Sequence, residues 1–318
     1  MDSGLRRRLQ LVRGLQWLRS AEGDPLAAVL RGHPAAAPST ITDSVYRSTT
    51  GTVVVGGRHT AELFAASAGL ADWRPTGTRV MAVAAEEIEP ADPADVAALA
   101  DTAPPAVGDV PDELSDLVPI AESLCAKAYA DLLGVEPDSL LGATAVLDNF
   151  LCPQETSVTE GMLAAVENLR DALCPRTPAF FLAVVAPRLT ADLVSRTAAT
   201  LLADGRWPDV VGAVERVSAA NPLLSLSLTT TTEDVTVAGE VIPGSSQVAV
   251  LNSPAVWPRT LDLPLVDATA DAVVTAIATR HPRLMATGAP VRRRCAPATS
   301  GLAHLPVASL RTDPLLVR

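Results

Sequence analysis

The side chains that could carry chemistry are few and scattered. The histidines are His33, His59, His281 and His304, and no two of them stand at a metal-ligand spacing. The cysteines are Cys125, Cys152, Cys174 and Cys295, with no C-x-x-C pair among them. His304 with Cys295 is the nearest approach to a zinc pair, and a structural zinc needs four close ligands. A Ser-His-Asp hydrolase would carry its serine in a G-x-S-x-G elbow, which the sequence lacks. Gly56-Gly57-Arg58 follows a strand-like run and opens a helical one, as a phosphate loop does. Its glycine spacing is incomplete, so a tight turn into a helix is the plainer account. Arg292-Arg293-Arg294 stays open to two readings: a seat for an anion or an acidic partner, or a solvated strand edge whose charges discourage aggregation.

Composition narrows the class. The chain has 318 residues, 48% of them hydrophobic but only 3% aromatic, so Leu, Val and Ala must fill the core. That mixture suits helices better than a β-sandwich. The formal charge of −11 repels phosphate backbones and argues against nucleic acid as a partner. Arg13, Gly14 and Gln16 interrupt the first apolar stretch, so no secretion signal is expected. The cysteines then read as free thiols in a reducing cytosol, and the expected location is cytoplasmic.

The elements that would position these residues are mostly helical. Residues 4–20 predict a helix with Leu5, Leu9 and Val12 along one stripe and Leu11, Leu15 and Leu18 beside it. Five arginines decorate the rest, and the helix could serve a partner, a membrane surface or its own domain. Asp24-Pro25 opens a short second helix. Residues 44–48 and 52–55 flank Thr49-Thr50-Gly51 as a hairpin, and a helix over 58–67 follows. Residues 74–112, rich in Pro, Ala, Asp and Glu, predict a flexible segment, with one short helix at 93–101. Helices are predicted over 113–134, 136–148, 154–173 and 178–203. The last should be central and buried, and kinked at Pro187. Its Arg188, Asp192 and Arg196 exclude a membrane span. A helix over 208–220, short β runs over 224–251, a helix over 267–280 and a β-like tail over 283–310 complete a mainly α pattern with a small β region.

The run from Glu233 to Val248, with Gly239 and Ile242-Pro243-Gly244, resembles the cytochrome P-450 element in which a strand, a G-x-x-I-P-x-G turn and a second strand follow the E-x-x-R helix. Arg280-His281-Pro282-Arg283-Leu284 and Gly301-Leu302-Ala303-His304-Leu305-Pro306-Val307 resemble the end of the same fold. A narrower resemblance lies in Gly4 to Trp17, Gly23-Asp24-Pro25, Gly32-His33, Leu151 to Glu160 and Pro290 to Arg294. These are similar to the P-450-like auxiliary proteins that accompany deoxysugar glycosyltransferases of the desosaminyl type. Matches run from residue 4 to about 307, weakest over 70–115.

Against that family the chain departs where haem chemistry would sit. The cysteine thiolate belongs in a loop before the last long helix, and residues 252–270 contain no Cys, His or Gly. The ligand loop reads as deleted, so the expected fold is truncated and haem-free. The E-x-x-R pair is broken, with Glu215 followed at that spacing by Ser218. The propionate-binding residue gives way to the run LSLSL after Pro222. The oxygen-activating stretch reads Val185-Ala186-Pro187-Arg188-Leu189-Thr190, with arginine where an acid belongs.

The resemblance therefore implies one cytochrome P-450-like domain over residues 1–318, no cofactor and no catalytic residue. Its implied role is that of an auxiliary or activator subunit for a TDP-deoxysugar glycosyltransferase in macrolide or anthracycline-type antibiotic biosynthesis. The expected assembly is a heterocomplex such as a heterotetramer, with neither nucleic acid nor membrane as partner. Leu5, Leu9, Val12 and Trp17 are the expected contact residues. The alternatives are a divergent monooxygenase or a small-molecule binder using the old haem pocket.

Overall fold

A computed structural model describes residues 3–31, 45–56, 59–66, 106–143, 145–151, 156–174, 178–220, 224–251, 264–294, 296, 298–299 and 301–309. The chain opens with α1 (Ser3–Ala21) and α2 (Pro25–Leu30), followed by β1 (Val45–Arg47), β2 (Val53–Val55) and α3 (His59–Ala65). Asp24 caps α2 by accepting from the Ala27 N–H at 3.1 Å, with Pro25 at the tolerated first position. The same carboxylate accepts from the Thr49 N–H at 2.9 Å and the Thr49 hydroxyl at 2.7 Å, so one side chain fixes α2 against the β1–β2 turn.

The helical body consists of α4 (Leu117–Leu133), α5 (Pro137–Ala143), α6 (Val146–Leu151), α7 (Thr156–Ala172), α8 (Pro178–Ala203) and α9 (Ala213–Ala220). Helix α4 starts three to four residues later than the sequence suggested. Asp116 takes the N-cap, accepting from the Val118 N–H, and Gly134 closes the other end in the left-handed conformation at φ 67°. The single helix expected over 136–148 is instead the pair α5 and α6. Gly142 explains part of the break: it weakens the helix, and an added methyl group would overlap Ala165 of α7. The helix expected from 208 begins at Ala213, because Gly212 has φ 61°, outside the helical region.

Helix α8 runs unbroken through Pro187 over the span its periodicity predicted. It packs against α4 on one side and against α10 (Pro264–Arg280) on another. Every residue from Phe180 to Ser195 is buried, which makes α8 the axle of the main core.

A mixed sheet lies beside the helices, in the order β1–β2–β6–β3, with β3 (Leu226–Thr230) and β6 (Gln247–Leu251). β2 runs parallel to β6, Val54 facing Ala249, while β1 and β3 are antiparallel to their neighbours. Between them β4 (Val235–Val237) and β5 (Glu240–Ile242) form a hairpin turning at Ala238 and Gly239, both with positive φ, so the segment expected as one turn from Gly239 to Gly244 holds a strand of its own. A second, smaller core of Val53, Val55, Leu63, Val235, Val237 and Ile242 joins this hairpin to β2 and α3. The tail carries β7 (Leu284–Ala286), β8 (Val291–Arg292), β9 (Leu302–His304) and β10 (Val307–Ser309). They pair as β7 with β10 and β8 with β9. The expected helix at 93–101, and the flexible segment as far as residue 105, lie outside the described residues.

Candidate functional site

A cluster of charged side chains lies where α4, α8 and the tail meet. Arg188, on α8, donates to Glu122 Oε1 of α4 at 2.7 Å. Its Nε stands 3.8 Å from Asp192 Oδ2, one turn further along α8. Arg293, just past β8, donates to Asp192 Oδ1 at 3.3 Å and to Glu122 Oε1 at 3.1 Å. Two guanidiniums and two carboxylates thus close a ring: Glu122, Arg188, Asp192, Arg293 and back to Glu122. The side chains of Arg188 and Asp192 are only 7% and 3% exposed, so water screens this ring weakly. Arg293 also donates to the Leu302 carbonyl at 2.9 Å, tying β9 to the ring. Gly301 lies against it so closely that a methyl group there would overlap Asp192 and Arg293.

A second carboxylate anchors the tail nearby. Asp148 of α6 is fully buried and accepts from the Ala298 N–H, the Thr299 N–H and the Thr299 hydroxyl at 3.0, 3.1 and 2.8 Å. Burial pushes its carboxyl above the ordinary range, against the opposing pull of Arg188 and the Thr299 hydrogen bonds. Burial also works against the Arg188 charge, but Asp192, Asp148 and Glu122 outweigh it and raise its pKa. The Arg188 guanidinium therefore stays charged in its buried place.

Thr190 is engaged as well. Its hydroxyl is 2.9 Å from the Tyr129 hydroxyl of α4, which reaches within 3.5 Å of the Leu265 carbonyl of α10. Arg188 and Thr190, the two polar side chains of the stretch that resembled the oxygen-activating segment, therefore both serve contacts between elements. Pro187 is buried in α8. Glu215 and Ser218 lie on α9, exposed and half-buried, and Arg216 turns back to the Val211 carbonyl at 3.1 Å.

Of the expected contact residues, Leu9 is only 1% exposed and belongs to the main core rather than to a docking surface. Val12 is half-buried, Trp17 is 56% exposed, and the Leu5 side chain lies outside those described. The other open apolar residues of α1 are Leu11, Leu15 and Leu18, at 63%, 39% and 48% exposure. The Arg31 guanidinium lies over the Trp17 ring, 5.9 Å from its centroid.

The triple arginine splits between its two readings. Arg292 and Arg294 are exposed, and Arg293 turns inward to the ring. The residues missed from sequence were Glu122, Asp192 and Gly301. A faint signal existed in the alternation of a strand, which turns the middle one of three arginines to the opposite face.

The element order, with a long buried helix crossed by others and a small mixed sheet to one side, is that of a cytochrome P450. The structure superposes on P450BioI bound to an acyl carrier protein carrying hexadec-9Z-enoic acid, with a TM-score of 0.60, 14% identity, and coverage of 97% of this chain and 100% of that one. The fold is cytochrome P450-like, and the sequence is similar to protein TylM3 of Streptomyces fradiae and to cytochrome P450 family protein EryCII of Saccharopolyspora erythraea. It is 27% identical to TylM3, over 95% of this chain and 92% of that protein. To EryCII it is 29% identical, over 96% of this chain and 98% of that protein. The TylM3 alignment spans 400 positions, more than the 318 residues of this chain, so parts of that relative face gaps. No protein-family model matches the sequence.

The fold implies a haem, and the described donors do not fit one. Cys125 is fully buried, and burial together with Glu122 and Asp192 pushes its thiol far above the thiolate range. Cys174 is exposed just beyond α7. The described histidines are otherwise committed: His59 to Glu62, His281 to the Pro111 carbonyl and His304 to Asp116. Of the stretch without a cysteine, residues 252–263 lie outside the described residues and 264–270 open α10. Among the described residues no helix is long and apolar enough to cross a membrane.

Proposed function

We propose that this chain is a non-catalytic auxiliary subunit of antibiotic biosynthesis, which binds and stabilises a TDP-deoxysugar glycosyltransferase acting on a macrolide or anthracycline-type polyketide. The observation that carries this reading is the four-charge ring that joins α4, α8 and the tail. The stretch that resembles an oxygen-activating segment spends its arginine on Glu122 and Asp192 and its threonine on Tyr129. The sequence has no cysteine between Cys174 and Cys295 to ligate an iron before α10. Relatedness to TylM3 and EryCII over nearly the whole chain supports the same reading.

The physical means is linkage. A protein that binds only the competent state of its partner stabilises that state by about 2.7 kcal/mol when present at a hundred times its dissociation constant. The heterocomplex does not need chemistry from this chain.

Co-expression with the deoxysugar glycosyltransferase of the same gene cluster tests the proposal. The expected result is more soluble transferase, a higher rate of sugar transfer, and co-elution of the two chains. Unchanged solubility and rate would overturn it, and so would a stoichiometric Soret band from the purified chain.

A further inference from the structure

Helix α1 presents two apolar faces. Leu9 and Gln16 turn into the chain's own body, with Val12 at the margin, while Leu11, Leu15 and Leu18 face outward. At about 100° per residue the three exposed leucines fall within about 60° of one another. Their 4–3 spacing is that of a coiled-coil seam. If Leu11 and Leu18 are d positions and Leu15 an a position, Arg7 occupies g and Arg19 occupies e, where interhelical ion pairs form. Gly14, also at g, has no atom near its missing side chain and leaves room for a close approach.

The charge decides between occupants. Helix α1 contains five arginines and no acidic residue. A second copy docked on this seam would set ten arginines against one another. The chain's −11 includes those five positive charges, so the remainder carries −16 and would be repelled by an anionic membrane. A partner helix with its own leucine stripe, flanked by Asp and Glu, satisfies both the seam and its arginines.

We propose that Leu11, Leu15 and Leu18, flanked by Arg7 and Arg19, form a docking seam for an acidic amphipathic helix of the partner protein. This rests on the auxiliary-subunit reading, with the transferase as that partner.

The test places the photo-crosslinker p-benzoylphenylalanine at position 15 of the full chain, co-expressed with the transferase. Cross-links should map to a transferase helix flanked by carboxylates. The double variant Leu11→Glu with Leu18→Glu should weaken the complex more than tenfold, as should Arg7→Glu with Arg19→Glu. Affinity of the native complex should fall between 50 and 500 mM NaCl. Unchanged thermal midpoints would show that these exposed substitutions leave the fold intact.

Cross-links to a second copy, or to this chain's own acidic stretch 86–101, would overturn the seam. So would binding to 3:1 POPC:POPG vesicles that the leucine variant abolishes. A native complex indifferent to both double variants sinks the seam alone, whereas a native chain that never binds the transferase sinks the auxiliary reading with it.

Discussion

Replacing Arg293 with methionine tests the ring most directly. The substitution keeps much of the side-chain volume and removes one of two positive charges. Glu122 and Asp192 then keep Arg188, at 2.7 and 3.8 Å, and the Leu302 carbonyl loses its Arg293 donor. Removing one partner of a buried ion pair costs about 3–5 kcal/mol. Arg293 and Glu122 are 18% and 28% exposed, so water reaches part of the ring and the lower end, about 3 kcal/mol, is expected. A chain of 318 residues unfolds with an entropy near 0.67 kcal/mol/K, so the thermal midpoint should drop by about 4–5 °C. Hydrogen exchange supplies a local readout: amides of β9 and β10 should lose protection before those of α8, because Arg293 ties β9 to the ring. The combination of Arg293→Met with Asp192→Asn should cost less than the sum of the two, by about 1–2 kcal/mol. A single-variant loss under about 0.5 kcal/mol, with tail protection unchanged, would refute the account of the ring as a clamp and leave it a solvated surface cluster.

Three further outcomes follow from the same geometry. Leu9→Ala should cost about 2–4 kcal/mol in urea unfolding, while Leu11→Ala should change stability by less than about 0.5 kcal/mol, because only Leu9 is in the core. Gly301→Ala should destabilise by about 1–3 kcal/mol, since its methyl group would push Asp192 and Arg293 apart, and an unshifted urea midpoint would contradict that contact. Asp116 is held below the ordinary carboxylate range. Burial opposes its charge, but hydrogen bonds from the Leu305 N–H, His304 and the Val118 N–H outweigh that penalty. Its contribution is therefore full above the unfolded value near 3.9 and lost as pH falls through the lower folded value. The urea midpoint of Asp116→Asn should consequently approach that of the native chain at about pH 3 and fall short of it at pH 7.

The sequence made the elements legible where local chemistry decides them. Helix α8 has the bounds its apolar period implied, because a segment buried all round needs no distant partner to declare itself. Gly239 and Pro243-Gly244 marked the ends of short strands, but the strand β5 between them was not foreseen. The ring was illegible for the opposite reason. Glu122 and Arg188 stand 66 residues apart, and Glu122 and Arg293 stand 171 apart, so no window holds the pattern. Asp192 looked like a residue that merely disqualified a membrane span. Leu9 was misplaced because two apolar stripes of α1 lie side by side, and periodicity cannot say which of them meets the body of its own chain.

The two principal sites divide the molecule by the direction in which charge is used. Inward, Arg188 and Arg293 are matched one for one by Glu122 and Asp192, and a matched ring in a weakly screened interior favours one geometry over any looser packing. Outward, α1 exposes Arg6, Arg7 and Arg13 and has no acid of its own, although the Arg6 guanidinium lies 3.7 Å from Glu160. An interior balanced in this way gains nothing from a charged ligand, which would have to break two ion pairs to enter. The unbalanced surface gains from every carboxylate that approaches it. If the chain acts through its surface, salt should act on its two properties unequally. Raising NaCl from 50 to 500 mM should weaken partner binding severalfold while moving the thermal midpoint by no more than about 2 °C, because exposed pairs are screened and the mostly buried ring far less. A midpoint that fell in step with the affinity would show the ring screened as fully as a surface pair, and the division of labour would fail.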